Sequence, residues 1–240
     1  TQDDVLAAIS EAVLSAAEAA TGERPPAIET MTWRESMERF GVDKPDLRNP
    51  LIICDVTEEF SREEVTFNAF KNVIKAGGIV RAIPATGAAS QSRSFFDKLN
   101  DWARSEGAAG LGYIVFEDDG GELTGKGPIA KFIPAEVQKL IAAKAGVAAG
   151  DAVFFSAGEK AKAVALAGKA RTRIAEELDL IPQGEFAFCW ITDFPMYEWD
   201  EDEKKIEFSH NPFSMPNYDL DKFLALNPAD ADEILGITAF

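Results

Sequence analysis

His210 is the only histidine in the 240 residues. Imidazole is the side chain that both donates and accepts protons near neutral pH without needing a special environment. It lies in Phe208-Ser209-His210-Asn211-Pro212-Phe213-Ser214-Met215-Pro216. From spacing alone, a lone histidine on a strand more often serves structure than chemistry, so the elements that present it decide its reading. Before it runs Phe186-Ala187-Phe188-Cys189-Trp190-Ile191-Thr192-Asp193-Phe194-Pro195-Met196-Tyr197-Glu198-Trp199, whose β-branched and aromatic residues suit a pleated surface. The two runs are joined by Asp200-Glu201-Asp202-Glu203-Lys204-Lys205, too polar to be buried and therefore a hairpin tip. Pro212 lacks an N–H and restricts the residue before it, so the second strand is expected to end near Asn211. That leaves His210 at a strand end, where its ring can face a pocket.

Other groups invite chemical readings and mostly lose them. Gly125-Lys126-Gly127 lacks the Gly-Lys-Ser/Thr ending, after four spaced residues, of a nucleotide phosphate loop. Cys54 and Cys189 form no metal-ligand spacing and no disulfide framework. Both lie in apolar runs, so buried free thiols in a reducing, cytoplasmic compartment are expected. Asp43-Lys44-Pro45-Asp46-Leu47-Arg48 reads as a solvated loop with local ion pairs. Lys169-Ala170-Arg171-Thr172-Arg173 is the densest basic cluster of its region and reads as a solvated helix face.

The formal net charge is −17, which opposes broad nonspecific binding to nucleic acid while leaving room for a local basic contact. An apolar content of 46% supports a packed core. No apolar run approaches the roughly 20 residues of a membrane span. The opening Thr1-Gln2-Asp3-Asp4 is neither a signal peptide nor an initiator methionine, and the sequence reads as an excised segment.

Periodicity predicts an amphipathic helix over 3–20, capped by Asp3 or Asp4, with Val5, Ile9, Val13 and Leu14 as its apolar stripe. Thr32 with Glu35 three residues on predicts a capping box and a helix from Trp33 to Phe40 that stops at Gly41. Residues 51–56 read as a strand, 66–75 as strand passing into helix, and 79–84 as a strand. Phe95, Phe96, Leu99, Trp102 and Ala103 mark one face of a helix over 91–106, a core stripe rather than a base-stacking platform. A strand over 112–116 leads to a turn at Asp118-Asp119-Gly120-Gly121. Val137, Leu140 and Ile141 are the inward face of a helix over 134–145. A strand over 151–156, a turn at Ala157-Gly158 and a helix over 160–178 follow. Short helices are expected near 220–226 and from Asp230.

Two blocks carry a resemblance. Asp193-Phe194-Pro195-Met196-Tyr197-Glu198, the acidic turn, and the histidine run resemble the late catalytic region of bacterial-type aspartyl-tRNA synthetases. Trp33-Arg34-Glu35-Ser36-Met37 with Arg39-Phe40-Gly41-Val42-Asp43-Lys44-Pro45-Asp46-Leu47-Arg48-Asn49-Pro50 resembles a second block of that family, in the same order. The resemblance, weaker between the blocks, covers essentially the whole chain. It implies an α+β architecture. Residues 1–49 and 181–240 would be parts of an incomplete antiparallel class II synthetase core, and 50–180 an insertion resembling the GAD domain.

The implied activity is aspartate–tRNA ligation by the intact parent, with ATP and Mg²⁺ as cofactors, L-aspartate and tRNA(Asp) as partners, and tRNA(Asn) as a further candidate. The family is typically homodimeric. His210 would hold the aspartate substrate, with Asn211 and Ser214 as weaker candidates. Relatives often read His-His-Pro-Phe-Thr-Ser-Pro here, and Asn211 replaces the second histidine. Lys44 and Arg48 would contact RNA phosphates or brace the junction between core and insertion. The Phe-Arg-x-Glu pattern of motif 2 and the arginine-ending glycine-rich pattern of motif 3 do not occur in this sequence. The isolated chain is therefore expected to be inactive, with no tight cofactor site. The rival is a non-enzymatic tRNA-binding module, related to the GAD domains of tRNA-dependent amidotransferases. A duller third is a structural interaction domain.

Overall fold

The computed structural model describes residues 1–200, 202–209 and 214–239. In chain order the elements are α1 (Gln2–Thr21), β1 (Glu29–Thr32), α2 (Trp33–Phe40), β2 (Cys54–Asp55), α3 (Thr57–Ser61), α4 (Asn68–Lys75), β3 (Ile79–Ala85) and α5 (Arg93–Ser105). Then come β4 (Gly112–Asp119), β5 (Glu122–Lys126), α6 (Ala135–Ala145), β6 (Ala152–Gly158) and α7 (Lys160–Glu177). The last are β7 (Cys189–Thr192), β8 (Phe194–Pro195), β9 (Tyr197–Asp200), β10 (Lys205–Phe208), α8 (Leu220–Leu224), α9 (Ala231–Leu235) and β11 (Thr238–Ala239). None of the described helices is long and apolar enough to cross a membrane. The chain divides into two units, one of Thr1–Ser36 with Glu185–Phe240 and one of Met37–Gly184.

The Met37–Gly184 unit is built on a five-stranded sheet of order β2-β3-β6-β4-β5 in which every neighbouring pair is antiparallel. Side chains alternate across a strand, and both faces here are apolar. Ile83, Ala85, Ala152 and Phe154 point to one face, with Phe95, Phe96 and Leu99 of α5 and Ala167, Ala170 and Ile174 of α7. Val80, Ala82, Ile114, Phe116, Val153 and Phe155 point to the other, with Phe60 of α3 and Val137 and Ile141 of α6. Helices thus cover both faces of one sheet, and each fully buried aromatic or branched side chain contributes roughly 1.5–3 kcal/mol. The predicted stripe on α5 is this core face: Phe95, Phe96, Leu99 and Ala103 are buried and Trp102 is half-buried against them.

Several boundaries move, each for a local reason. The strand-like run 51–56 shrinks to Cys54–Asp55, because only these two residues pair with β3. Asp118 and Asp119 remain in β4, and only Gly120-Gly121 form the turn, both with positive φ. Ala157-Gly158 is not a turn: both residues pair with β3, at Val80 and Ile79. Leu140 is exposed, and Gln138 is buried in its stead. The Gln138 amide accepts from Gly125 N at 2.9 Å and donates to Ala130 O at 2.9 Å and Ile133 O at 2.8 Å. A Cβ at Gly125 would lie 2.4 Å from that Gln138 oxygen. The Gly125-Lys126-Gly127 run thus serves close packing at the end of β5, and Lys126 pairs with Glu117.

In the other unit, α1 is capped by Thr1 rather than by Asp3 or Asp4. Thr1 Oγ1 accepts from Asp4 N at 3.3 Å while the Asp4 carboxylate accepts from the Thr1 amine at 2.9 Å. Of its expected stripe only Leu14 is buried, whereas Val5 and Ile9 are exposed. The Thr32–Glu35 capping box forms as read, with Thr32 N donating to Glu35 Oε2 at 2.7 Å and Glu35 N to Thr32 Oγ1 at 3.2 Å. β1 pairs with β7 in parallel, while β8–β11 and β9–β10 are antiparallel. The aromatic run expected as one strand is broken into β7, β8 and β9, with Asp193 at φ 56° between the first two.

Candidate functional site

His210 and Asn211 lie outside the described residues, as do Pro212 and Phe213. Ser214 is half-buried. What the structure does describe is how the two ends of this loop are held. β9 and β10 form the expected hairpin, and β10 ends at Phe208, three residues before the expected end. Ser209 then turns back onto the strand before the hairpin: its N–H donates to Met196 O at 3.1 Å and its hydroxyl to Pro195 O at 2.5 Å. On the far side, Pro216 bridges to Ala239 and Asn217 N donates to Thr238 O at 2.8 Å. The Asn217 amide donates to Asp193 Oδ1 at 2.8 Å, and the other carboxylate oxygen accepts from Thr192 Oγ1 at 3.0 Å. Met196 N donates to Ile237 O at 2.9 Å.

Asp193-Phe194-Pro195-Met196 is therefore the frame of the loop, grasping Ser209 at one end and Asn217 at the other. Asp193 sits in the left-handed region, which aspartate tolerates better than most residues and which aims its carboxylate back across the chain. Met196 with Ile237 and Ala239 forms a small buried cluster beneath, against which Tyr197, Tyr218, Phe223 and Leu226 pack. The motif marked the region in the sequence, but the bracing role of Asp193 was not readable there: its partner is 24 positions away, and spacing alone does not join them.

In the Met37–Gly184 unit the candidate cations have local carboxylate partners. Lys44 Nζ lies 2.6 Å from Asp43 Oδ2. Arg48 grips Asp46 with two parallel bonds, Nε to Oδ1 at 3.0 Å and Nη2 to Oδ2 at 2.7 Å, and its own N–H donates to Oδ1 at 3.0 Å. Those bonds hold the Asp46 carboxyl below its ordinary pKa.

Beneath this loop lies a residue misread from the sequence. Arg171 is not part of a solvated face: it is 1% exposed. Its Nε donates to Leu51 O at 2.6 Å, and its Nη2 donates to Asn49 O at 2.7 Å and Asp46 O at 3.0 Å. The guanidinium lies 4.7 Å from the centroid of the Phe40 ring. Asn49 closes the arrangement by donating to Arg171 O at 3.2 Å and accepting from Leu51 N at 3.0 Å. Burial pushes the Arg171 guanidinium down to about 10, so it remains a cation at neutral pH. Alongside, α2 ends on α7 through two glycines: a Cβ at Gly41 would lie 2.6 Å from Gly168 N, and one at Gly168 would lie 2.5 Å from Gly41 O.

Among the described residues one acidic group has metal-like spacing, Asp200, Glu203 and Glu207. One oxygen of each carboxylate already has a partner. Asp200 Oδ1 accepts from Asp202 N at 2.7 Å and Glu203 N at 2.9 Å, and Lys205 pairs with both Glu203 and Glu207. Cys54 and Cys189 are free and half-buried rather than buried. Burial pushes the Cys54 thiol up to about 11 and raises that of Cys189 as well, which makes both poor nucleophiles at neutral pH.

These features define an α+β protein in which a helix-covered antiparallel unit interrupts a second unit that braces a histidine loop. Residues 70–167 match the GAD domain family. Over its full length the chain is 70% identical to the aspartate–tRNA(Asp/Asn) ligase of Methylobacterium nodulans and 67% identical to that of Methylorubrum populi, covering 40% of each. It is 73% identical, over 87% of its length, to the ligase of the same name from Methylobacterium sp. strain 4-46, covering 34% of it. Along its whole length the chain is similar to a stretch of these aspartate–tRNA(Asp/Asn) ligases, and the GAD match lies inside that stretch. It spans about two fifths of the length of the curated relatives it matches.

Proposed function

We propose that this chain is the stretch of an aspartate–tRNA ligase that presents the substrate-holding histidine, with residues 50–180 as an inserted domain. Residues 1–49 and 181–240 then belong to an antiparallel class II catalytic core. The intact parent joins L-aspartate to ATP with Mg²⁺, releasing pyrophosphate, and passes the aspartyl group to tRNA(Asp). The relatives' name supports tRNA(Asn) as a second acceptor. The parent works in the cytoplasm and as a homodimer. The observation that carries this reading is identity to these ligases along the whole chain, beyond the GAD match at 70–167. A free-standing GAD-type module would not need the histidine loop.

Within this reading His210, with Asn211 and Ser214 beside it, hydrogen-bonds the substrate carboxylate, and a protonated ring does so more strongly than a neutral one. The hydrogen bonds that hold Ser209 and Asn217, on either side of the loop, support a positioned contact of this kind. Lys44 and Arg48 serve as braces of the junction, which their pairing with Asp43 and Asp46 supports. The residues present do not make an ATP site. The arginine-bearing motifs are missing from the sequence, and in the Asp200 group one oxygen of each carboxylate is already paired with backbone N–H or Lys205. No step through ATP or Mg²⁺ is assigned to this chain's residues.

ATP–pyrophosphate exchange tests the proposal. The full-length protein is expected to exchange label in the presence of L-aspartate, and residues 1–240 alone are expected not to. Aspartate-dependent exchange by the 240-residue chain would refute the division of labour. Its absence from the full-length protein would refute the ligase reading.

A further inference from the structure

The β9–β10 hairpin sorts its side chains by face. Direct cross-strand partners share a face, and Tyr197 pairs with Phe208 and Trp199 with Ile206. One face is therefore Tyr197, Trp199, Ile206 and Phe208, and the other is Glu198, Asp200, Lys205 and Glu207. At one end of the apolar face Tyr197 packs on the Met196, Ile237 and Ala239 cluster and lies 4.8 Å, centroid to centroid, from Phe208. Among the described residues nothing comparable covers the rest of the face: Phe208, beside Tyr197, is 55% exposed, and Trp199, further along, is 42% exposed. Alternation this regular marks a strand pair built to bury one face. The contrast between the units is equally plain. Of the ten exposed large apolar side chains among the described residues, eight belong to the unit of Thr1–Ser36 and Glu185–Phe240, and two, Ile52 and Leu140, to the larger unit. The larger unit buries both faces of its sheet, whereas the smaller has one described cluster of three buried residues.

We propose that the Trp199–Ile206–Phe208 face is an interface for the remainder of the parent polypeptide. Three fifths of the relatives' length lies outside the matched stretch, and that remainder supplies the missing layer of this core. The inference rests on the ligase reading for the existence of that remainder. The occupant is polypeptide of the same molecule rather than a second copy or RNA. Nucleic acid is disfavoured because Glu198 and Glu207 of the opposite face, and Asp202 and Glu203 of the tip, crowd negative charge around the patch.

Acrylamide quenching, read as the difference between the wild type and Trp199→Phe, isolates this residue from the other three tryptophans. In the 240-residue chain Trp199 is expected to be freely quenched at every protein concentration. In the full-length protein, without tRNA, it is expected to be shielded several-fold and shifted to the blue, equally at protein concentrations above and below that at which the homodimer dissociates. Trp199→Asp is expected to lower the melting temperature of the full-length protein and to leave that of the 240-residue chain unchanged. Equal quenching in both proteins would overturn the proposal. So would shielding of the 240-residue chain that grows with concentration alongside a dimer in sedimentation, since a second copy would then be the occupant. Shielding that appears only on adding tRNA would overturn it in favour of RNA. Aspartate-dependent pyrophosphate exchange, run on the same preparations, reports separately on the ligase reading.

Discussion

Arg171→Met is the sharpest probe of how the larger unit holds its entry loop. The substitution keeps a long side chain in the slot and removes the cation that three main-chain carbonyls share, those of Asp46, Asn49 and Leu51. Replacing a buried charge by an apolar group is often neutral when its partners leave with it. Here the partners are backbone and stay. Each buried carbonyl left without a donor costs about 1 kcal/mol, so three cost ~3 kcal/mol. For a domain of this size that lowers the melting temperature by ~6–12 °C, at 2–4 °C per kcal/mol. Arg171→Lys is expected to recover only part, since one ammonium on a flexible stem cannot reproduce the planar fork that spans Leu51 on one side and Asn49 and Asp46 on the other. Urea titration of the 240-residue chain, followed by far-ultraviolet circular dichroism, measures the change. A loss below ~1 kcal/mol for Arg171→Met would refute the reasoning, because it would mean that the loop finds other donors at little cost.

Cys54 sets a pH dependence. Its folded thiol is pushed up to about 11 from an ordinary 9.0, so the folded state keeps a proton that the unfolded chain releases; stability is full below pH 9 and falls as pH rises towards 11. The loss is ~2 kcal/mol after allowing for partial exposure, and Cys54→Ala is expected to flatten the profile of urea midpoints between pH 8.5 and 11. At the loop, Asp193→Ala in the full-length protein is expected to raise KM for aspartate about tenfold while leaving KM for ATP unchanged, the equivalent of losing one ~1.4 kcal/mol positioning bond. Asp193→Asn, which tolerates the same backbone conformation, is expected to fall between it and the wild type. His210→Ala is expected to have the same selectivity with a larger effect, and unchanged kcat and KM for aspartate in that variant would remove its assigned role.

The elements were legible where the sequence pattern and the tertiary demand coincide. The α5 stripe of Phe95, Phe96, Leu99 and Ala103 is read from spacing and buried in fact, because both depend on one helix face meeting one sheet face. The Thr32–Glu35 capping box is legible because it is closed within four residues. What escaped depends on distant partners. Arg171 looks like one more cation in a basic run, and only the folding of residues 46–51 over α7 buries it. Asp193 and Asn217 carry no mutual signal until Ser209 turns back on Pro195. The stripe on α1 failed differently: Val5 and Ile9 have helical spacing, yet nothing described covers them. Periodicity reports the face a helix would bury and is silent on whether a partner is present.

Charge shows why a property of the whole chain can mislead about its parts. The net −17 argues against a polyanion-binding surface, but the charge is unevenly held. Met37–Gly184 has 19 Lys and Arg against 21 Asp and Glu, while the other unit has 5 against 20. The electrostatic objection to RNA therefore falls almost wholly on the unit with the histidine loop and hardly touches the larger one.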